Sequence, residues 1–276
     1  MRKDIVAGWL EKSGQSLSEG QFKLLARYQE MVLAAPMNLT AITGDEDFAI
    51  KHFIDSFTLL PWVDKLGEDT ACIDIGTGAG FPGVPLKIAR PDLTLTLLDS
   101  LQKRVLFLRS AAAELGLRDV ECIHARAEDL VRLRGTTATP RAGLRQKDRR
   151  GGVASVGSDY CSGAASAGSD CCSRTASVGS DCCGDMTSVG NDYLYGMAFA
   201  RAVARLDVLA GYALPLVKPG GVLLAMKGPD PADEIENAKP AIHKLGGIIE
   251  SVETVEIAQG MGRTIIAIQK GGLTSR

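Results

Sequence analysis

The sequence predicts an α/β protein with a mostly parallel sheet, preceded by a helical N-terminal extension. From residue 71 onward, short apolar runs alternate with helical patterns, which is typical of strands joined by crossover helices. A glycine-rich stretch from Gly76 to Gly83 follows the first of these runs directly. Glycines at that point allow a ligand to approach bare backbone N–H groups at a helix N-terminus. The residues before position 67 show only helical periodicity.

The composition fits a globular domain and excludes some classes of protein. The chain has 276 residues, of which 45% are hydrophobic, so it can form a full core. Its formal net charge of −2 gives no overall basic field, and any contact with RNA would require a local patch. The longest uncharged apolar run in the C-terminal half, Val208 to Val217, is too short to cross a bilayer, and the N-terminus lacks the apolar core of a signal peptide. We therefore expect a cytoplasmic protein without a membrane partner.

Residues 135–192 differ in character from the rest of the chain. A basic run is followed by a unit of eleven residues that begins at Ala154, Ala165, Ala176 and Thr187. The units are rich in Gly, Ser and Asp and hold too few apolar side chains to offset the entropy of ordering, which predicts a disordered insertion. A thiolate metal site is the alternative, but the cysteines lack the usual ligand spacing, and no metal is predicted. This divides the chain into an extension (1–66) and a catalytic domain (67–134 and 193–276).

The extension contains two predicted helices. Ser18 to Gln21 is a capping-box sequence that opens the first, and its apolar stripe stops before Pro36. The second is expected from Asp45 to Leu60, ended by Pro61. In the catalytic domain the strands are expected at residues 71–75, 94–99, 120–125, 196–202, 221–227, 248–257 and 263–269, and helices at 85–90, 101–115 and 206–217.

The glycine loop has two interpretations. Gly78, Gly80 and Gly83 match the dinucleotide fingerprint GxGxxG, with Asp99 at the distance of a ribose-binding acid. Gly76, Gly78 and Gly80 instead match the loop of S-adenosylmethionine-dependent methyltransferases. The second fits better, because Gly76 follows the strand without a gap. Asp74 also places an anion before the loop, which suits a sulfonium and opposes a pyrophosphate.

Acidic residues follow two neighbouring strands. Asp99 ends the second strand, where its carboxylate could accept both ribose hydroxyls. Arg126, Ala127 and Glu128 follow the third strand, where an acid and a backbone N–H could bind the edge of an adenine. Each acid alone could be a solvent-exposed loop charge, but together at the strand ends of one sheet they favour a nucleoside site.

Several blocks in order resemble the RsmG (GidB) family of bacterial small-subunit ribosomal RNA methyltransferases. The resemblance covers nearly all of the chain outside the insertion. It rests on residues 38–40, 52–56, 73–86, 97–100, 103–108, 126–128, 200–204 and 227–228. The sequence departs from the family at the insertion and at Tyr195-Gly196-Met197, where an acidic residue would usually follow the aromatic one.

The resemblance implies a Rossmann-like methyltransferase fold with a seven-stranded sheet. It also implies methylation of ring nitrogen 7 of a guanosine in 16S ribosomal RNA or the small ribosomal subunit, with S-adenosyl-L-methionine as the donor. The family positions that bind the donor match Gly76, Phe81, Ala127, Glu128 and Arg201, to which the loop and strand-end arguments add Gly78 and Asp99. We expect a monomer, and no residue is assigned as a general base.

The remaining polar residues allow plainer interpretations. His52, Asp55 and Ser56 lie too close together on one helix for a hydrolase triad and are expected to position RNA or brace the extension against the sheet. Arg201 could be a structural ion pair or could reach the donor or the target base. Candidates for phosphate contacts are Lys103, Arg104, Arg109, Arg205, Lys227 and Arg263. The competing functions are an NAD-dependent oxidoreductase, a small-molecule methyltransferase and a non-catalytic RNA-binding protein.

Overall fold

The computed structural model describes residues 1–135 and 195–271. The predicted insertion, with its repeats and five cysteines, lies outside the described residues except for Gly135. The helices are α1 (Lys3–Lys12), α2 (Glu19–Ala34), α3 (Asp45–Phe48), a π-helical segment (Ala49–Ile54), α4 (Asp55–Phe57), α5 (Leu60–Val63), α6 (Gly83–Ala89), α7 (Gln102–Glu114), α8 (Ala127–Gly135), α9 (Leu206–Ala213) and α10 (Ala232–Lys244). The strands are β1 (Ala71–Ile75), β2 (Thr94–Asp99), β3 (Val120–His124), β4 (Tyr195–Arg201), β5 (Val217–Lys227), β6 (Gly247–Ala258) and β7 (Met261–Lys270).

The seven strands form one sheet in the order β3-β2-β1-β4-β5-β7-β6. Strands β1 to β5 pair in parallel, and β7 runs antiparallel to both β5 and β6. The prediction of a mostly parallel seven-stranded sheet is therefore confirmed. The strand order reverses between β1 and β4, which makes the carboxyl ends of these two strands a topological switch point.

Two apolar cores cover the two faces of the sheet. On one face, side chains such as Cys72, Leu95 and Leu97 pack against α6, α7 and the helices of the extension. On the other, side chains such as Ile73 and Leu98 pack against α8, α9 and α10. Residues 1–66 thus form part of one helical layer and share its core. No helix within residues 1–135 and 195–271 is long and apolar enough to cross a membrane.

The first predicted helix of the extension is confirmed as α2. The Ser18 hydroxyl accepts a hydrogen bond from the Gln21 backbone N–H, and the Gln21 side chain accepts one from the Ser18 N–H, which completes the capping box. The helix ends at Ala34, because Ala35 before Pro36 is extended. The preceding helix, α1, was not predicted.

The second predicted helix, Asp45 to Leu60, is wrong as one regular element. A π-helical segment interrupts it after Phe48, and a turn at Thr58 and Leu59 separates it from α5. Pro61 does not end a helix: it lies in the first turn of α5, where its missing N–H has no intrahelical partner to lose.

Three further boundaries in the catalytic domain differ clearly from the prediction. The helix predicted at residues 206–217 is α9, which ends at Ala213, because Val217 already belongs to β5. Helix α6 begins at Gly83, two residues before Pro85. Strand β5 begins at Val217 and contains the Pro219-Gly220-Gly221 turn as an irregularity opposite Tyr195 and Met197. A Cβ at Gly221 would lie 2.7 Å from the Gly196 carbonyl oxygen, so close strand approach requires glycine there.

Candidate functional site at the carboxyl edge of the sheet

The glycines after β1 have different roles. Gly76 and Gly78 have φ values of +66° and +61°, which favour glycine, and Gly76 is exposed. A Cβ at Gly80 would lie 2.1 Å from the Tyr28 hydroxyl, and one at Gly83 would lie 2.8 Å from Asp74 Oδ2. Gly80 and Gly83 therefore allow close packing beneath the loop, whereas Gly76 presents bare backbone at its surface.

A cleft of about 230 Å³ lies at the carboxyl ends of β1, β2 and β3. Four of the seven predicted donor-binding residues line it: Gly76, Asp99, Ala127 and Glu128. The other lining residues are Ile75, Leu98, Ser100, Ala125, Arg126, Val203 and Tyr212. The acids predicted from separate strands are therefore brought together in one cleft.

The three other predicted residues do not line this cleft. Gly78 donates its backbone N–H to Asp99 Oδ2 at 2.9 Å. Phe81 is buried, and its ring contacts those of Tyr28 and His52. Arg201 ends β4, where its guanidinium carbon lies 5.4 Å from the centre of the Phe81 ring.

Asp99 connects the glycine loop to β2. One carboxylate oxygen accepts the Gly78 N–H, and the other accepts the Leu101 N–H at 2.8 Å. Arg104 lies 3.5 Å from Oδ2. A carboxylate has about four acceptor sites, so Asp99 retains capacity for ribose hydroxyls while it fixes the loop.

Glu128 lies in the first turn of α8 and interacts with Tyr212 of α9. The hydrogen bond to the Glu128 carboxylate raises the pKa of the Tyr212 phenol, with burial as a further cause. Both side chains line the cleft. Sequence reasoning missed Tyr212 because its position on α9 shows only a helical apolar stripe.

Asp74 lies wholly beneath the loop rather than at its surface. Its Oδ2 accepts the Thr77 hydroxyl at 2.6 Å and the Gly83 N–H at 2.8 Å. Burial raises the pKa of this carboxyl to about 6, although the two hydrogen bonds oppose the rise. Its Oδ1 has no hydrogen-bond partner among the described residues. Asp74 therefore braces the strand-to-helix turn and does not line the cleft.

Arg201 forms an ion pair with Asp55, as the structural interpretation anticipates. Its Nη1 lies 3.0 Å from Asp55 Oδ2 and also donates to the Lys51 carbonyl oxygen at 3.0 Å. Arg263 of β7 binds the same carboxylate through Nε and Nη2, at 2.6 and 2.9 Å. Asp55 is completely buried between the two arginines, so the predicted brace between the extension and the sheet is present.

Several of the candidate phosphate contacts have internal partners. Arg263 binds Asp55, Lys227 binds Glu234 and the Ala204 carbonyl oxygen, and Arg109 donates to the Cys122 carbonyl oxygen. Lys103 is exposed, and the exposed Arg205 lies 3.3 Å from Asp207 Oδ1. Fewer of the six candidate side chains are therefore available for phosphate contacts than the sequence suggests. His124 contacts the Ser100 carbonyl oxygen, in line with a structural role.

The strand order, the glycine loop after β1 and the acids after β2 and β3 define a Rossmann-like methyltransferase. The family described as rRNA small subunit methyltransferase G (GidB) matches residues 21–146 and 181–262. The chain belongs to this family.

Named relatives support the assignment over most of the chain. The ribosomal RNA small subunit methyltransferase G of Pelotomaculum thermopropionicum is 36% identical over 95% of this chain and 87% of its own length. The protein of the same name from Clostridium botulinum is 38% identical over 80% of this chain and 69% of its own. Among solved structures, an O-methyltransferase from Bacillus cereus in complex with SAH has a TM-score of 0.50 and 13% identity, covering 96% of this chain and 97% of that chain. This last likeness concerns the fold alone.

Proposed function

We propose that this protein transfers a methyl group from S-adenosyl-L-methionine to ring nitrogen 7 of a guanosine in 16S ribosomal RNA. The observation that carries the proposal is the cleft that combines the exposed Gly76 backbone with the carboxylates of Asp99 and Glu128. Family membership supports the reaction and disfavours both the oxidoreductase and the small-molecule methyltransferase.

The residues of the cleft fit the donor. A side chain at Gly76 would fill the space beside Val203, so the loop offers a cradle only while glycine is present. Asp99 and Glu128 supply acceptors for ribose hydroxyls and for an adenine amino group, and Ala127 supplies a backbone N–H. Gly78 and Phe81 would hold the loop in shape from beneath, and Arg201 would act from the end of β4. When bound, the donor supplies an electrophilic methyl group on a sulfonium.

The proposed reaction requires no general base. Ring nitrogen 7 of guanine has a lone pair and no proton. His52, the histidine nearest the switch point, has its pKa lowered to about 3 by burial and by Arg201, which makes it a poor base. The chain's contribution is therefore to align the nucleophile with the methyl group and exclude water.

We propose further that the partner is the small ribosomal subunit or its RNA, and that the protein works as a monomer in the cytoplasm. The exposed Lys103 and Arg205, at the starts of α7 and α9, are positioned near the carboxyl edge for phosphate contacts.

Two measurements test the function. Calorimetry with S-adenosylhomocysteine and with NAD should show binding of the first only. Incubation with small-subunit RNA and labelled donor, followed by nucleoside analysis, should yield 7-methylguanosine. Binding of donor without methyl transfer to RNA or subunits would favour the non-catalytic RNA-binding protein instead.

A further inference from the structure

Four side chains form a connected group at the switch point, beside the donor cleft: Thr40, His52, Phe81 and Arg201. The His52 ring lies parallel to the Phe81 ring, with 4.3 Å between centres and 11° between planes. Its Nε2 lies 2.8 Å from the Thr40 hydroxyl oxygen, and its Nδ1 lies 3.4 Å from Arg201 Nη2. None of these four side chains lines the donor cleft.

The arginine fixes which nitrogen of His52 carries the proton. A guanidinium only donates, so Nδ1 facing Arg201 must be the acceptor. Burial and the Arg201 charge lower the pKa of His52 to about 3, so the ring is neutral at physiological pH. Its single N–H is therefore on Nε2 and is donated to the Thr40 oxygen.

The Thr40 hydroxyl is left with only a donor to offer. Its oxygen accepts the His52 Nε2–H and also the Ile42 backbone N–H at 3.0 Å, which engages both lone pairs. Its own proton has no acceptor among residues 1–135 and 195–271. Thr40 is partly exposed, so a ligand can reach it.

We infer that the Thr40 hydroxyl donates a hydrogen bond to oxygen 6 of the target guanine and so selects guanine over adenine. The inference rests on the proposed function. Guanine presents N7 and O6 side by side on one edge, both as acceptors, whereas adenine presents an amino donor in place of O6. A base whose N7 faces the methyl group must place this neighbouring group against the protein. A hydroxyl with both lone pairs engaged binds a carbonyl there and leaves an amino group without an acceptor.

Arg201 is less suited to this role. Its Nη1 protons are directed to Lys51 and Asp55, and one Nη2 proton is directed to His52. It therefore acts on the base through His52 and Thr40, as a positioning residue.

The test compares Thr40→Val with Thr40→Ser in the full chain. The first removes the hydroxyl at nearly constant volume, and the second retains it. We expect Thr40→Val to lower kcat/KM for methyl transfer to unmethylated small-subunit RNA at least tenfold, and Thr40→Ser to restore most of the rate. The affinity for S-adenosylhomocysteine should stay within twofold of wild type in both, a result that a general structural defect would not give.

A substrate analogue provides a second arm, in which a folding defect of the variant would lower its rate equally on both RNAs. RNA with 2-aminopurine at the methylated position keeps N7 and lacks O6. Wild type should methylate this RNA more slowly than the guanosine RNA. On the analogue, the rate of Thr40→Val should be close to that of wild type.

Three outcomes would overturn the inference. Thr40→Val could methylate RNA at the wild-type rate, or both variants could lose donor affinity and rate to the same extent. The third is a Thr40→Val rate that falls below that of wild type by the same factor on guanosine and on 2-aminopurine. Failure of wild type to methylate any small-subunit RNA would contradict the proposed function itself.

Discussion

The carboxylate of Asp55 lies 3.0 Å from the guanidinium of Arg201, although 146 residues separate them in the chain. The contact joins the helical extension to the carboxyl end of β4, beside the switch point. Arg263 on β7 binds the same carboxylate. The extension is therefore connected to both β4 and β7. A substitution of Asp55 should affect the site as well as the stability of the fold.

Asp55→Asn should destabilise the protein by about 3 kcal/mol, the cost of removing one partner from a buried ion pair. Both arginines would lose a charged acceptor while remaining mostly buried, with side chains 16% and 22% exposed. Urea denaturation measures the change. Glu236→Gln, which removes an exposed ion pair with Lys239, is the matched control and should leave the transition unchanged. Equal stability of Asp55→Asn and wild type would show that the ion pairs of this carboxylate give no net stabilisation.

Glu128→Gln should weaken binding of S-adenosylhomocysteine by about 1–3 kcal/mol, the range for a hydrogen bond to a charged group. The side chain lies on the cleft wall, which Tyr212 also lines. Calorimetry gives the dissociation constant. Asp129→Asn on the same helix is the control, since Asp129 pairs with Arg132 and does not line the cleft. An unchanged dissociation constant for Glu128→Gln would show that the charge of this residue does not contribute to donor binding.

Gly76→Asp should abolish donor binding while the protein stays folded. A Cβ at Gly76 would lie 2.9 Å from Val203 Cγ2, and the carboxylate would extend into the cleft. Gly220→Asp supplies the control, because Gly220 has a similar φ of +78° with no atom near its Cβ. Both variants carry the same backbone strain, so a difference in calorimetric affinity isolates the effect at the cleft. Donor binding by Gly76→Asp would mean that the loop is not the binding surface.

The sequence predicts the parts of the site that repeat a local pattern. The strand-loop-helix at Gly76 and the acids at the ends of β2 and β3 follow from the alternation of strands and helices, and the structure brings Asp99 and Glu128 into one cleft. Parallel strands place their carboxyl ends at one edge, so order along the chain is enough to predict this neighbourhood.

Other features depend on contacts that no local pattern contains. The π-helical segment Ala49–Ile54 adds one residue per turn within a run whose apolar spacing reads as an ordinary helix. The pairing of Asp55 with Arg263 spans 208 residues. Helix α10 contains Pro240, which weakens its sequence signal. The periodicity of the sequence alone therefore does not reveal these features.

The pKa of Asp74 predicts a specific dependence of stability on pH. The folded-state value of about 6 exceeds the reference of 3.8, so folding favours the protonated acid. Its stabilising contribution is complete below pH 4 and is lost as the pH rises through 6. Asp74→Asn mimics the protonated form and keeps an acceptor for Thr77 and Gly83. As the pH rises from 4 to 7, the free energy of unfolding of the variant should increase by up to about 3 kcal/mol relative to that of wild type.

Urea titrations of both proteins at each pH measure this difference. His52 titrates over an overlapping range with the opposite sign, since its folded pKa is lowered, but it is common to both proteins and cancels. A stability difference that stays constant from pH 4 to pH 7 would contradict a raised Asp74 pKa.

Residues 135–192 should be dispensable for methyl transfer. The family matches residues 21–146 and 181–262 and leaves out residues 147–180, which hold most of the repeats. Replacement of residues 135–192 by a short Gly/Ser linker should preserve donor affinity. Because loop-closure entropy changes by only about 0.6 kcal/mol per doubling of length, the shorter loop should slightly stabilise the domain.

The decisive measurement is methyl incorporation into small-subunit RNA by the full-length and shortened proteins at low and moderate salt. The basic run from Arg141 to Arg150 could add non-specific affinity for RNA, which would weaken as salt rises. We therefore expect any advantage of the full-length protein to appear at low salt and to disappear at moderate salt. A shortened protein that folds and binds S-adenosylhomocysteine, yet is inactive at both salt concentrations, would show that the segment takes part in the reaction.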